Sequence, residues 1–380
     1  SAHGLPSLST LGVHILAKCV WLLCALLSWA YFFYLIYNMV LNYQSYSVIS
    51  SISIGWEVPT TFPAVVICNL NPVDGLTNRQ TLEAQVSSSG IVVTDYTSYK
   101  EYVDLVGSKT RAALEYDFVT GSQYWYGYGI LLGTMLMSCE FQGKKCSADD
   151  FSAFHDYDYG NCYRFNGLDV KKSAQNLSQS KKPGDKNGLK LELCVGNRDK
   201  QLQYTVSTGF RVIVHNQTIV PFPGEEGINV AVGTETNVAI GRRFISRLAK
   251  PYSDCIDELD ESVAQMNSLM QMMWEQKKQG KIYQYQQSYC VKMCYQQFAV
   301  DSCKCFDLSL ASMNASAPDV QGCIIKEQLE CLKRTEADFY ASDASNDCYT
   351  KCPLECRKVE YNLKVSFADY PSTWYATLMN

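Results

Sequence analysis

The sequence has few of the residues from which metal sites are usually built. It contains 4 histidines against 17 cysteines, and no two cysteines stand in the CxxC spacing that is typical of zinc sites. The spacings that occur are CxC, CxxxC and longer ones. We therefore predict that the chain binds no metal and no other cofactor, and that its cysteines form disulfides in an oxidising compartment.

The common enzyme motifs are absent as well. The sequence has no HExxH, GxSxG, P-loop or GxGxxG pattern, so no residue can be named as catalytic. The net charge is only -5, and no basic block is long enough to favour nucleic-acid binding. The sequence thus predicts neither an enzyme nor a nucleic-acid-binding protein.

Formal charge is missing from every position between Lys18 and Glu57. The segment CVWLLCALLSWAYFFYLIYNMVLNY, which begins at Cys19, exceeds the ~20 apolar residues that a bilayer requires, and tyrosines crowd its outer half. A buried core helix is the alternative, and the length argues against it. We predict a transmembrane helix over residues 13–43, in which Cys19 and Cys24 are free thiols. No second apolar run of this length follows in the chain as given.

All other cysteines follow this span, and so do three glycosylation sequons. Both features favour an extracellular surface. We therefore expect residues 1–12 to be cytoplasmic and residues 44–380 to form an extracellular domain. The candidate glycosylation sites are Asn176, Asn216 and Asn314.

The apolar patterns of residues 44–380 predict an α+β domain. Residues 77–145 are expected to be mainly helical, including GILLGTMLMSCEF at 129–141. A second helical pattern begins at Asp254, and we interpret its Met and Leu stripe as core. Strands are predicted for TFPAVVICNL, LKLELCV, YTVSTGFRVIVHN, INVAVGTETNVAI and VEYNLKVSFADY.

Cysteine spacing in the last third predicts a ladder of two disulfides. Cys290 and Cys294 would share one helix face, and Cys348 and Cys352 show the same spacing of four. If the two helices run antiparallel, Cys290 pairs with Cys352 and Cys294 with Cys348. The CxC at 303–305 must bond elsewhere, with Cys323 and Cys331 as the nearest candidates, and composition alone leaves this pairing open.

Several motifs together resemble the degenerin, epithelial sodium channel and acid-sensing ion channel family. His3 and Gly4, ahead of the span, resemble the family's His-Gly gating motif. The other matching segments are TFPAVVICNLNP at 61–72, MSCEFQGKKCSADDF at 137–151, GNCYRFN at 160–166, GFRVIVH at 209–215, RFISRLAKPYSDC at 243–255 and the cysteines from 290 to 356.

The resemblance implies a subunit of a trimeric, amiloride-sensitive sodium channel in the plasma membrane. Such a subunit is multi-pass, with two transmembrane helices around an ectodomain of palm, β-ball, knuckle, finger and thumb. We expect the finger at about 77–160, the thumb at about 252–356, and the palm and β-ball in the strands between. The second transmembrane helix, which carries the pore, is absent from the given chain. The implied partners are sodium ions, amiloride, the lipid bilayer, and identical or related subunits in a homotrimer or heterotrimer.

The family's disulfides carry over to seven pairs in this sequence, and Cys194 has no counterpart among them. The implied pairs are Cys68–Cys162, Cys139–Cys146, Cys255–Cys356, Cys290–Cys352, Cys294–Cys348, Cys303–Cys331 and Cys305–Cys323. The resemblance also implies an aromatic pair at the wrist, where Tyr46 would meet Tyr252.

The stimulus is expected to be an extracellular neuropeptide of the FMRFamide type. The stretch YSVISSISIG after the span has no titratable carboxylate, and no Arg-x-x-Arg cleavage tract occurs in the chain. The finger segment instead offers rings and acids on which a peptide bearing phenylalanine and arginine could stack and pair. The candidate peptide-binding residues are Tyr116, Asp117, Phe118, Tyr124, Trp125 and Tyr126.

Other functions remain open at this level. An acid-gated, constitutive or mechanosensitive sodium channel would share the same family features. A single-pass, disulfide-rich receptor or adhesion ectodomain would explain the span, the sequons and the cysteines, but not the His-Gly motif. An ectoenzyme is the third reading, and the missing catalytic motifs argue against it.

Overall fold

The computed structural model describes residues 14–74, 107, 111, 129–168, 177–196, 205–313 and 320–379. The chain forms two units: Ser1–Gly55 with Leu248–Asp254, and Trp56–Arg247 with Cys255–Asn380. The described helices are α1 (Ile15–Gln44), α2 (Leu132–Met135), α3 (Glu261–Ala264), α4 (Ser268–Lys278), α5 (Gln287–Cys303), α6 (Lys326–Ala341), α7 (Asp343–Lys351) and α8 (Thr373–Met379). The described strands are β1 (Thr60–Thr61), β2 (Ala64–Asn69), β3 (Leu136–Phe141), β4 (Lys144–Lys145), β5 (Phe151–Asp156), β6 (Gly160–Phe165), β7 (Gln179–Ser180), β8 (Leu189–Leu193), β9 (Gly209–His215), β10 (Ile228–Ala231), β11 (Thr234–Ser246) and β12 (Arg357–Asp369).

In the first unit, α1 is long and apolar enough to cross a membrane. Its 30 residues include none that is buried in the protein. At 1.5 Å per residue it is about 45 Å long, which exceeds the ~30 Å hydrocarbon core of a bilayer. The helix starts and ends within two residues of the predicted span. Its last turn is closed by Ser45, whose backbone N–H donates to the carbonyl of Leu41.

The second unit is built on a five-stranded antiparallel sheet in the order β10-β9-β2-β6-β5. All six residues of β2 are buried, because this strand lies at the centre and has a covered surface on both faces. Its β-branched residues suit that position. One face carries the cluster around Ile67, Tyr163 and Phe210, and the other carries Val66 and Ile213. The strand prediction for TFPAVVICNL is thus confirmed.

The turn between β5 and β6 requires a glycine at its end. Gly160 has a φ of +65°, and a Cβ at this position would lie 2.1 Å from the carbonyl oxygen of Pro72. Only a residue without a side chain accepts both conditions. The sequence patterns did not predict β5 and β6, although these strands supply two of the five in the central sheet.

A three-stranded sheet in the order β4-β3-β8 packs against the central sheet. Phe141 of β3 meets Phe62, with ring centroids 5.0 Å apart. The helical prediction for residues 129–141 is wrong here, since only α2 is helical and the chain continues as β3. A short apolar run does not distinguish the two structures by its periodicity, and β3 is stabilised by pairing with β8, where Phe141 is opposite Leu189.

Strands β11 and β12 form a separate antiparallel pair with an unbroken register of 13 residues each. Arg242 of β11 joins this pair to the start of the second unit. Its guanidinium contacts the carboxylate of Glu57 and the hydroxyl of Thr60. The segment at Glu57 and Thr60 is therefore held against β11, which precedes the cysteine-rich region in the chain.

Helices α3 to α7 form the core of the cysteine-rich region, residues 255–356. Leu269, Met270 and Met273 of α4 are each at most 1% exposed. The Met and Leu stripe predicted as core is thus confirmed as core. The described fold is α+β, as predicted, with helices and strands in separate clusters.

Candidate functional site

Five disulfides in the cysteine-rich region are nested one inside the next. Helix α5 carries Cys290 and Cys294 one turn apart, and the return segment carries Cys348 at the end of α7 and Cys352 just beyond it. The Cα atoms of the two rungs, Cys290–Cys352 and Cys294–Cys348, are 5.8 and 5.9 Å apart. From the outermost to the innermost, the nested disulfides are Cys255–Cys356, Cys290–Cys352, Cys294–Cys348, Cys303–Cys331 and Cys305–Cys323.

Two more disulfides lie in the sheets. Cys68 and Cys162 are opposite each other on β2 and β6, and Cys139 bonds Cys146 across the β3–β4 hairpin. The seven pairs are the ones that the family resemblance implies. Three cysteines are free and exposed: Cys19 and Cys24 in the spanning helix, and Cys194 after β8.

Hydrogen bonds reinforce the outer end of the ladder. The backbone N–H of Gln287, in the first turn of α5, donates to the carboxylate of Glu355 at 2.7 Å, and its side chain donates to the carbonyl of Cys352. The Tyr285 hydroxyl donates to the carbonyl of Pro353 at 2.6 Å. The start of α5 is thus held to the return segment by polar contacts as well as by disulfides.

At the inner end of the nested disulfides, a buried glutamine hydrogen-bonds to the backbone. Gln296 is 1% exposed, and its carboxamide accepts from the Asp307 N–H at 2.9 Å while donating to the Asp307 carbonyl at 2.9 Å. A second, longer bond reaches the carbonyl of Leu310. This side chain satisfies the backbone of the turn that follows the CxC motif.

Replacing Gln296 with leucine should destabilise the protein by about 2–4 kcal/mol, because the Asp307 N–H and C=O would lose their partners in a buried site. The measurement is the thermal unfolding of the purified protein. Gln297→Leu is the matched control, since Gln297 is only half-buried and makes one long contact to the Met272 sulfur. Equal melting temperatures for the two variants would contradict this role of Gln296.

The β5–β6 turn packs against the same end of the cysteine-rich region. Tyr157 lies against Phe306 and Leu308, and the Arg111 guanidinium is 5.7 Å from the Tyr157 ring centroid. Arg111 also approaches the Asp158 carboxylate at 3.6 Å. The Tyr157 ring therefore joins the turn at the edge of the central sheet to the cysteine-rich region, and Arg111 contacts the turn through Tyr157 and Asp158.

Two carboxyl groups at this junction are harder to ionise than usual. Burial, followed by the nearby Asp158 carboxylate, raises the pKa of Asp156 to about 6, against two backbone N–H donors that favour the charged form. Burial also raises the pKa of Asp307, where hydrogen bonds from Ser309 oppose the shift. The junction therefore gains protons as the pH falls towards 6 and below.

We expect Asp156→Asn to flatten the pH dependence of stability. Because the pKa of Asp156 is raised in the folded protein, its ionisation destabilises the fold progressively as the pH rises from about 4 to about 6, by at most about 3 kcal/mol. The asparagine keeps the acceptor oxygen without the charge. Unfolding at pH 4 and pH 7.4 tests this, with Asp338→Asn at an exposed position of α6 as control. A variant that loses stability at pH 7.4 would contradict the interpretation.

The histidine that ends β9 does not titrate in the same range. His215 is buried, its Nδ1 is 2.7 Å from the carbonyl oxygen of Asn216, and burial followed by the Arg164 charge lowers its pKa to about 3. This buried, neutral ring is a structural part of the sheet. Its Nε2 has no hydrogen-bond partner among the residues that the structure describes.

The loop after β9 connects the central sheet to α5. The Thr218 hydroxyl donates to the side-chain oxygen of Gln284 at 2.7 Å. Further along, the Phe222 ring is 6.4 Å from that of Tyr289 and lies under the ammonium of Lys292 at 4.9 Å. Lys292 also pairs with Glu225. Within the described ranges, this loop is a further contact between the sheet and the cysteine-rich region.

The first unit brings together the two tyrosines expected at the wrist. Tyr46 lies two residues beyond α1, and its ring centroid is 5.7 Å from that of Tyr252, with ring planes at 83°. This edge-to-face arrangement is favourable for aromatic pairs. Tyr252 stands three residues before Cys255, where the nested disulfides begin.

Several predicted site residues lie outside the described part of the chain. These are His3, Gly4, Tyr116, Asp117, Phe118, Tyr124, Trp125, Tyr126, Asn176 and Asn314. Asn216 is described: it is half-buried in the turn after β9, where its side-chain oxygen accepts from the Thr218 N–H at 3.4 Å. Within the described ranges, no group of three or more His, Cys, Asp or Glu residues could hold a metal ion.

Sequence reasoning did not find Gln296, Glu355 or Phe222. Glutamine and glutamate at these positions look like ordinary surface residues of a helix or loop, because their partners are backbone groups brought close only by the fold. The acids of the β5–β6 turn stand out in the segment DYDYG at 156–160, but nothing in that segment indicates Asp307 as their neighbour.

A spanning helix followed by a β-rich, disulfide-stapled domain defines a membrane protein with a large ectodomain. The amiloride-sensitive sodium channel family model matches residues 1–380, and the chain belongs to this family. It is 30% identical over 240 residues to the epithelial sodium channel subunit alpha of Anolis carolinensis, which covers 63% of this chain and 34% of the relative. The human subunit alpha is 28% identical over 244 residues (63% and 33%), and the subunit beta of Mus musculus is 27% identical over 255 residues (65% and 36%). The chain thus spans about a third of the length of the curated relatives it matches.

Proposed function

We propose that the protein containing this chain is a subunit of a trimeric, amiloride-sensitive sodium channel of the plasma membrane. The match of the whole chain to the family model carries this proposal. The spanning helix and the seven disulfides of the ectodomain support it. In the proposed multi-pass topology, residues 1–12 are the cytoplasmic gating segment with His3 and Gly4, α1 is the first span, and residues from 44 onward are extracellular.

Within the ectodomain we assign the cysteine-rich region to the thumb and the central sheet to the palm. The finger would comprise about residues 77–160 and so would include the β5–β6 turn at its base. On this assignment, finger and thumb meet at Tyr157 and Phe306, while palm and thumb meet at Phe222 and Lys292.

The proposed stimulus is an extracellular peptide of the FMRFamide type, bound in the finger by the residues from Tyr116 to Tyr126. The lack of a titratable carboxylate after the span and of an Arg-x-x-Arg tract supports this stimulus over acid gating and proteolytic activation. The acidic junction at Asp156 and Asp307 favours modulation by pH of a channel that another ligand opens. Opening by acid itself is the second candidate, because the same two carboxyl groups have raised pKa values.

The proposed mechanism needs a stiff connection between the ligand and the membrane. Peptide binding would shift the finger against the thumb, and the nested disulfides would let the thumb move as one body. The Tyr46–Tyr252 contact would pass this movement to α1. A ligand can open the channel only if it binds the open and closed states with different affinities, so the finger–thumb junction must differ between them.

Replacing extracellular sodium distinguishes a channel from an adhesion receptor. Cells expressing the full-length protein should carry an amiloride-blocked current whose reversal potential shifts with the sodium gradient. Subunit counting on the same cells should give three copies per channel. Surface protein without any such current, under every stimulus, would favour the receptor reading.

A further inference from the structure

The segment Leu248–Asp254 forms a closed turn beside the outer end of the spanning helix. The Tyr252 N–H donates to the carbonyl of Ala249 at 3.1 Å, and the Ser253 hydroxyl donates to the carbonyl of Leu248 at 2.6 Å. The Tyr252 ring packs on Tyr46, which is two residues past α1. This compact turn, here called the wrist turn, is therefore held at the level where α1 ends.

The outward surface of the wrist turn is apolar and aromatic. The Leu248 side chain is 60% exposed and that of Tyr252 is 46% exposed. The surface continues along the helix end through Tyr43, which is 76% exposed and whose ring is 6.4 Å from that of Tyr46. The one cation of the turn, Lys250, is 3.5 Å from the Asp254 carboxylate, and both side chains are exposed.

The position of this surface indicates what covers it. Helix α1 is longer than the hydrocarbon core, so its last turn reaches the headgroup layer. Tyrosine rings with a polar tip and lysines with an apolar stem are the side chains that favour this layer. The Tyr43–Tyr46 and Tyr46–Tyr252 ring contacts connect the exposed surface of the wrist turn to the exposed surface at the end of α1.

We propose that the wrist turn docks on the outer surface of the bilayer. Leu248 and Tyr252 lie among the lipid carbonyls, and the Lys250 ammonium faces the phosphates. The partner is a zwitterionic phospholipid surface, since the Lys250–Asp254 pair leaves the turn with no net charge. The inference rests on α1 as the membrane span and is independent of the stimulus that opens the channel.

Spin-label accessibility tests this proposal on the full-length protein in phosphatidylcholine nanodiscs. A nitroxide is attached at Leu248→Cys after the free thiols Cys19, Cys24 and Cys194 are replaced by serine. The control label is at Ile325→Cys, because Ile325 is also apolar and 57% exposed but precedes α6 in the cysteine-rich region. The ratio of oxygen to nickel-chelate accessibility should be at least about fivefold higher at 248 than at 325.

Equal ratios at the two positions would overturn the proposal, and so would a label at 248 that neither reagent reaches, which would indicate a protein partner. If the added cysteine disturbs the disulfides, Leu248→Trp avoids a new thiol. Its added fluorescence over wild type should be quenched by phosphatidylcholine brominated near the headgroup, whereas that of Ile325→Trp should not be. Because neither readout requires current, the result stands even if the channel proposal fails.

Discussion

A protein in which Cys290, Cys294, Cys348 and Cys352 are all serine is expected to be retained inside the cell and to give no surface current. The two rungs close segments with sequence separations of 62 and 54 residues. In the chain-entropy model one disulfide closing such a loop stabilises by about 4 kcal/mol. That is a large part of the ~5–15 kcal/mol that keeps a typical domain folded. Surface biotinylation against total protein measures the retention.

The nesting of the disulfides makes a second, sharper expectation possible. In the variant with serine only at Cys294 and Cys348, the remaining Cys290–Cys352 rung closes almost the same loop from four residues away. Removal of the Cys294–Cys348 disulfide alone should therefore destabilise the protein by less than half of the ~4 kcal/mol expected for an isolated loop. Surface delivery of this variant should be reduced but present. Normal delivery of the four-serine variant would show that the ladder does not hold the region together.

Replacing Tyr46 or Tyr252 with alanine is expected to reduce the stimulated current by up to about tenfold at equal surface density. An edge-to-face aromatic pair contributes ~0.5–1.5 kcal/mol beyond its buried area, and 1.4 kcal/mol is a factor of about ten in an equilibrium. If the pair couples the wrist turn to α1, its loss should move the opening equilibrium by up to this factor. Whole-cell current divided by biotinylated surface protein is the measurement.

A double-mutant cycle separates coupling from simple loss of packing. The Tyr46→Ala and Tyr252→Ala double variant should be no worse than either single variant, because both remove the same contact. Tyr46→Phe keeps the ring and should retain most of the current, and Tyr43→Ala serves as the control on the helix side. Additive losses in the double variant would contradict coupling through this pair.

The sequence predicted the parts of the fold whose physical cause is local. Cysteines four residues apart on a helix define a face, so Cys290 and Cys294 indicated the ladder before any pairing was known. Strand β2 was predicted because a central strand needs β-branched residues on both faces. The contact between Tyr46 and Tyr252, by contrast, was predicted only from the family resemblance, since nothing near Tyr46 in the sequence indicates Tyr252.

The parts that the sequence did not predict depend on contacts between distant segments. Residues 136–141 have the spacing of a helix but pair with β8, which is far along the chain. Gln296 and Glu355 satisfy backbone groups of segments that only the fold brings close to them. The raised pKa of Asp156 arises from burial at a junction, and burial of a single acid leaves no periodic pattern in a sequence.

The current evoked from cells expressing the full-length protein is the most direct test of peptide gating. The stimuli are a panel of amidated peptides of the FMRFamide type, acid to pH 5, and amiloride applied during each response. We expect one of the peptides to evoke a sodium current that amiloride blocks, and acid to change the size of this current without opening the channel alone. Robust current to acid, together with none to any peptide, would contradict it.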